Sequence, residues 1–349
     1  MHSDSGGRRF AMPGPPKPRV RIWPVFLPFY GCMHRCIYCA QDLQTGVHPL
    51  SLHEHYSNLR QALKTALAED TPAMQLGFFG GTFTALSQDW QYRFISLAQE
   101  FKAQGLLTKI RCSTRPDAIS AEQLQFLHRW GLDMVELGIQ SFSSRVLTAA
   151  RRTYSSQQAK HASELVLNSG LELGLQLMPG LPEHNSKKWL QDIQTVCELR
   201  PHQVRIYPCL VLKGTPLEKV WNKKLFAPWS LEKTVPLLAR AVLKLWKHTI
   251  PVTRIGLPQE KSLLQSIKAG PWHPGLGDLV QSRILFYMLK TQSILLGPGP
   301  KKLFCPQKYQ GQLWGFGKCY LPQLQALGIS RQQTFYHQDT DFVLLKSSQ

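Results

Sequence analysis

Between residues 19 and 250 the chain alternates strand-like and helix-like stretches with few interruptions, and that alternation limits its fold more than any other feature. Strands are predicted at Arg19–Phe26, Met74–Phe79, Lys109–Ser113, Met134–Ile139, Glu172–Met178 and Gln203–Tyr207. Helices are predicted at Leu52–Ala68, Asp89–Lys102, Ser120–Arg129, Ser155–Ser169, Ser186–Leu199 and Leu231–Lys247. Six strand–helix units in succession imply parallel strands joined by right-handed crossovers. The expected fold class is α/β, a partial (β/α)6 TIM-like barrel with a C-terminal extension. In such barrels chemistry sits at the carboxyl ends of the strands.

The loop after the first predicted strand carries Cys32, Cys36 and Cys39, spaced C-x-x-x-C-x-x-C. Three thiolates on one tight loop can hold three corners of a cubane 4Fe–4S cluster, which ordinarily takes four. The fourth iron is then open to a small molecule. A zinc knuckle would need His34 as the fourth ligand, from between two of the cysteines, and no second C-x-x-C or H-x-x-H pair follows. The other five cysteines are scattered without paired spacing, a usage that suits a reducing compartment.

Of the 349 residues, 43% are apolar, enough for a sizeable core. The balance of 41 basic against 22 acidic side chains gives a formal charge of +19, which points to a polyanionic partner. Residues 1–18, rich in Gly, Pro, Ser and Arg, are expected to form a flexible basic tail, 19–250 the core barrel and 251–349 an extension packed on it. Arg8, Arg9, Lys17, Arg19 and Arg21 before an apolar stretch imitate a lipoprotein leader, but Pro24 and Pro28 break the stretch and bulky Phe29 and Tyr30 precede Cys32. No run approaches the roughly 18 consecutive apolar residues of a membrane span. A soluble, cytoplasmic protein with no membrane partner is expected.

After the second predicted strand comes Gly77-Phe78-Phe79-Gly80-Gly81-Thr82-Phe83-Thr84. Adjacent glycines at a strand end let backbone approach a ligand closely. Together with the cysteine loop, in which Tyr38 is the aromatic, this resembles the radical S-adenosylmethionine (radical SAM) superfamily. The form G-G-T-F-T is similar to that of the Elongator catalytic subunit and a group of shorter bacterial relatives. The likeness continues through Cys112–Asp117, Glu136–Ser141, Arg152-Thr153-Tyr154, Leu177–Pro182 and Tyr207–Thr215, covering about residues 19 to 260.

The resemblance implies a radical SAM barrel whose cofactors are a 4Fe–4S cluster on Cys32, Cys36 and Cys39 and S-adenosylmethionine, reductively cleaved to a 5′-deoxyadenosyl radical. Tyr38, Gly80, Gly81, Thr82, Gln140, Ser141, Arg152 and Met178 would contact S-adenosylmethionine, with Gln140 on its ribose and Arg152 on its carboxylate. An external low-potential donor such as flavodoxin or ferredoxin would supply electrons, and the expected substrate is RNA, in particular tRNA. The alternatives are a small metabolite such as a tetrapyrrole, as for oxygen-independent coproporphyrinogen oxidases, or a noncatalytic, cluster-containing RNA-binding scaffold. Arg115 stands where other members often have a carboxylate, so it either loses that contact or faces the substrate. Cys112 and Cys209, also near strand ends, are expected to be ordinary packing cysteines. Gln312-Leu313-Trp314-Gly315-Phe316-Gly317 satisfies an acetyl-CoA-binding pattern, but only 32 residues follow it, so an acetyltransferase domain is not expected. Thr253–Leu257 and Trp272–Asp278 look like the extension of the shorter relatives.

Overall fold

The computed structural model describes residues 7–15, 20–46 and 50–347. Lys17 and Arg19 of the expected tail lie outside the described residues. In chain order the strands are β1 (Arg8–Phe10), β2 (Ile22–Phe26), β3 (Met74–Phe79), β4 (Leu107–Thr114), β5 (Met134–Gln140), β6 (Glu172–Leu177), β7 (Gln203–Ile206), β8 (Val211–Leu212), β9 (Val252–Ile255), β10 (Ile267–Ala269), β11 (Lys301–Pro306), β12 (Ile329–His337) and β13 (Phe342–Lys346). They are divided between two compact units, Pro16–Leu231 with His248–Pro274, and Met1–Pro15 with Glu232–Lys247 and Gly275–Gln349.

The larger unit is built on a parallel sheet in the order β2-β3-β4-β5-β6-β7-β9, an open, partial barrel of the expected α/β class. Sequential order follows from the crossovers, because each strand returns beside the last after its helix. The helices Leu52–Ala68, Gln88–Ala103, Ala121–Arg129, Ser156–Asn168 and Ser186–Leu199 each begin at a Ser or Asn whose side chain accepts an orphan backbone N–H. Expected helix and strand positions agree within about two residues at each end, the usual uncertainty of element boundaries. The exception is the first strand, which begins at Ile22.

One strand of this sheet was not expected: β9 adds a seventh, inside the segment read as extension. Strand interiors such as Leu76, Phe78, Val135, Leu137, Leu173 and Val204 are almost wholly buried, as in a sheet covered on both faces. Within this apolar setting Glu136 is ion-paired to Arg111 at 2.5 Å and Arg205 at 3.1 Å. One carboxylate therefore serves two guanidiniums.

The smaller unit holds a second sheet in the order β1-β13-β11-β12. Its core is formed by Leu285 and Leu289 of the helix Leu276–Leu296 with Leu303, Cys305, Phe342 and Leu344 of the strands. The structure corrects one expectation here. Arg8–Phe10, assigned to a flexible tail, pairs antiparallel with β13, Phe10 stacking on Phe342 at 5.2 Å. The region beyond 251 is regular, with a 21-residue helix whose apolar side chains run around it and so give no stripe to recognise. Gln312 sits in a one-turn helix and donates to Asp278 at 3.2 Å, a tether between elements.

Packing in the larger unit is concentrated under the helix Gln88–Ala103, where Phe94 is fully buried against Phe78, Trp90 and Tyr56, ring centroids 5.4 to 5.9 Å apart. Phe94→Ala is expected to lower unfolding stability by about 3–5 kcal/mol, the cost of an emptied aromatic site. Chemical denaturation measures it, and a loss below about 1 kcal/mol would contradict this packing.

Candidate functional site

Two loops at the carboxyl end of the sheet are held against each other, and the site is built on that junction. The Thr82 amide donates to the Tyr30 carbonyl at 2.7 Å. Gln41 Oε1 accepts from the amides of Phe29 at 2.5 Å and Gly81 at 2.8 Å, joining the cysteine loop to the end of β3. Both loops need glycine where they meet. A Cβ on Gly31 (φ +72°) would lie 2.3 Å from the Thr82 carbonyl, and one on Gly81 (φ +58°) 2.2 Å from the Tyr30 carbonyl.

The other side of the cysteine loop is anchored by Ile37, whose amide donates to Ala150 and whose carbonyl accepts from Leu217. Cys36, Ile37 and Tyr38 are buried there against Val146, Met178, Leu181 and Leu217. Cys32, Cys36 and Cys39 consequently line a cavity of about 420 Å³, within the usual range for small-molecule sites. Tyr38, Gly80, Gly81, Gln140, Arg152 and Met178 line it too.

Thr82 and Ser141 do not line this cavity. The Thr82 hydroxyl lies 3.3 Å from Cys32 Sγ, so it supports the cysteine loop from behind. Ser141 is fully buried, its hydroxyl accepting from the Ser143 amide where the chain turns after β5. Gly81 borders the cavity, but its amide is spent on Gln41.

Gln140 ends β5 at a register shift, in the left-handed region at φ +66°. Its Oε1 is buried without a hydrogen-bond partner, and such an acceptor costs free energy unless a ligand donor meets it. Arg152 donates to Cys36 Sγ at 3.0 Å, to the Tyr154 hydroxyl at 2.8 Å and to the Gly138 carbonyl. These bonds fix the Cys36 side chain against the strand end. Arg115 borders the cavity with its fork turned to Asp117, at 2.9 and 2.7 Å. Cys112 and Cys209 are fully buried outside the cavity lining, in keeping with packing roles.

Burial, reinforced by Cys36 and Cys32 alongside, pushes the Cys39 thiol up to about 12. A cation must therefore displace the Cys39 proton when that thiol becomes a ligand. Among the described residues no group of three or more His, Cys, Asp or Glu side chains is placed to hold a single metal ion. Three soft sulfur ligands on one loop suit the separated corners of an iron–sulfur cube. The unmet oxygen of Gln140 and the adjoining cavity suit a polar nucleoside ligand beside it.

Sequence reasoning did not single out Gln41, Gln176, Arg205, Tyr207 or Arg254, all of which border the cavity. Gln41 carried no signal, since its partners lie 12 and 40 residues away. Arg205 and Gln176 were detectable in principle as polar residues at the ends of apolar strands.

Residues 26–196 match the sequence family described as the radical SAM superfamily, and residues 201–285 the radical SAM C-terminal domain. The tRNA uridine(34) acetyltransferase of Methanocaldococcus infernus is 29% identical over 264 residues, covering 64% of this chain and 49% of that protein. Human Elongator complex protein 3 is 24% identical over 287 residues, covering 71% of this chain and 52% of its own. The chain thus spans about half the length of the curated relatives it matches. In fold it is similar to the solved structure of archaeal M. infernus Elp3 with an N-terminal deletion, at TM-score 0.59 and 23% identity, covering 78% of this chain and 63% of the other.

If Gln41 joins the two loops, Gln41→Ala should leave the barrel folded and reduce the iron retained after anaerobic reconstitution. Gly81→Ala should do so more severely, whereas Gly311→Ala, with open space around it and no left-handed φ, should not. Equal iron content in all three proteins would contradict the junction.

A second expectation concerns acid. Burial alone would raise the Asp117 carboxyl, but hydrogen bonds from Arg115 and Thr153 outweigh it and hold the group below its ordinary value. The carboxylate's contribution is therefore complete above the ordinary value and lost as pH falls through the lowered one. Asp117→Asn should cost about 1.5–3 kcal/mol at pH 7. Denaturation across pH should show that difference shrinking towards pH 3, and a constant difference would contradict the pairing.

Proposed function

The chain belongs to the radical SAM superfamily of enzymes, whose members bind a 4Fe–4S cluster and S-adenosylmethionine, and on that premise we propose that it modifies RNA, specifically tRNA. When bound, these groups supply radical chemistry, begun by one-electron reductive cleavage of a sulfonium carbon–sulfur bond. Cys32, Cys36 and Cys39 would hold the cluster, and Arg152 keeps Cys36 in place through its hydrogen bond. Gln140 accepts a hydrogen bond from a nucleoside hydroxyl. Tyr38 and Met178 wall the cavity and exclude water, protecting a reactive intermediate from side reactions.

The observation that carries the substrate reading is the charge of the cavity lining. Five arginines (Arg35, Arg115, Arg152, Arg205 and Arg254) border it, with Glu260 as the one carboxylate. Arg115 is neutralised by Asp117, and Arg205 shares Glu136 with Arg111. A net positive wall remains, which draws in and orients phosphates. The chain's charge of +19 acts in the same direction at longer range. The tRNA-directed names of the relatives agree with this reading.

The test uses protein purified without oxygen, reconstituted with iron and sulfide, and reduced by dithionite or by flavodoxin or ferredoxin. It should be brown, cleave S-adenosylmethionine, and do so faster with tRNA, the gain fading as salt rises. Gln140→Ala should weaken S-adenosylmethionine binding by about 0.5–1.5 kcal/mol, one hydrogen bond, with the visible band intact. Stimulation by an anionic metabolite such as a porphyrinogen and none by tRNA would transfer the site to small-molecule chemistry. RNA binding with no cleavage would leave a scaffold.

A further inference from the structure

The sheet of the smaller unit has one packed face and one open face. Alternation along β11 and β13 sends Leu303, Cys305, Phe342 and Leu344 into the core, where they are fully buried. The residues between them face the other way. Register places Phe335 of β12, Phe304 of β11, Val343 of β13 and Arg9 of β1 side by side across all four strands. Phe304 and Phe335 stack with ring centroids 5.4 Å apart, and Phe335 is 45% exposed.

Basic side chains accompany this row. Lys302 and Leu345 form the next row on the same face, with Lys302 exposed, and Arg331 is exposed earlier in β12. Arg9 is 68% exposed and paired to Asp341. Residues 275–349 contain eight lysines and arginines against three aspartates and no glutamate, a surplus unsuited to an acid-poor apolar contact between like copies. A solvent-facing sheet with an exposed Phe335 stacked on half-buried Phe304 and flanking cations matches the physical requirements for unpaired nucleotides, whose bases stack on rings while their phosphates meet positive charge.

We propose that this face binds unpaired RNA, a base stacking on Phe335 beside Phe304, and Arg9 and Lys302 meeting the phosphates. The inference rests on the reading of the substrate as RNA, and it adds a second contact, on the smaller unit, through which the substrate is held.

The experiment uses the full-length, cluster-loaded protein with a labelled unpaired RNA 12-mer, a duplex of the same length, and tRNA. The 12-mer should bind more tightly than the duplex, and ultraviolet crosslinks should map to β11 and β12. Phe335→Ala should weaken 12-mer binding about tenfold, as expected for one lost stacking partner. Lys302→Gln should make the salt dependence shallower by about 0.7 log units, one phosphate on a single strand. Tyr92→Ala, an exposed aromatic on a helix of the other unit, should change neither. Unaltered thermal melts and visible absorbance would establish that the variants fold. If wild type binds tRNA and Phe335→Ala and Lys302→Gln bind it equally well, the sheet proposal fails and the substrate reading stands. If wild type binds no RNA at low salt, the substrate reading itself fails. If Phe335→Ala converts a dimer to a monomer in sedimentation and RNA binding is unaffected, the face is a self-association surface and the proposal is overturned.

Discussion

The contact between the cysteine loop and the end of β3 is the constraint on which the rest of the site depends. Two glycines let the backbones approach to a distance that no side chain permits, and the Gln41 carbonyl is shared by amides of both loops. A flexible loop carrying three thiols would sample many arrangements, and fixing it costs conformational entropy for every residue ordered. Here the hydrogen bonds of Tyr30, Gln41 and Ile37 meet that cost, and burial of Ile37 and Tyr38 adds to them. The donors are therefore preorganised by the barrel.

Electrostatics then decide what the preorganised site accepts. The barrel interior carries a carboxylate between two guanidiniums, and a buried charge is tolerable only when paired. Arg152 performs a related task nearer the cysteines, with its nitrogens directed to Cys36, Tyr154 and Gly138. The resemblance had assigned Arg152 to a cofactor carboxylate; in the structure its hydrogen bonds run within the protein and support the ligand loop. The Gln140 oxygen remains as the buried acceptor on the wall with no partner of its own. Arg35, Arg152 and Arg254 leave the cavity edge with a net positive charge.

Much of the fold was legible because its signals are local. The helices Leu52–Ala68, Ser186–Leu199 and Leu231–Lys247 were placed to the residue, two of them by an N-cap side chain before an apolar period. The helix Leu276–Leu296 was not, since apolar residues on every side of it leave no period to read. Strands β1 and β9, of three and four residues, are too short to carry a pattern and exist through partners far along the chain.

The candidate site divides along the same line. Cysteine spacing within eight residues and adjacent glycines after a strand are covalent facts, and they determined the class of chemistry and its place at the strand ends. Whether a given side chain reaches the cavity depends on strand register, turn geometry and neighbours tens of residues away. Thr82 and Ser141 turn away from it while Gln41 and Arg205 come to its edge, because packing and hydrogen bonding across the fold, which only the tertiary structure brings into being, set the direction of each side chain.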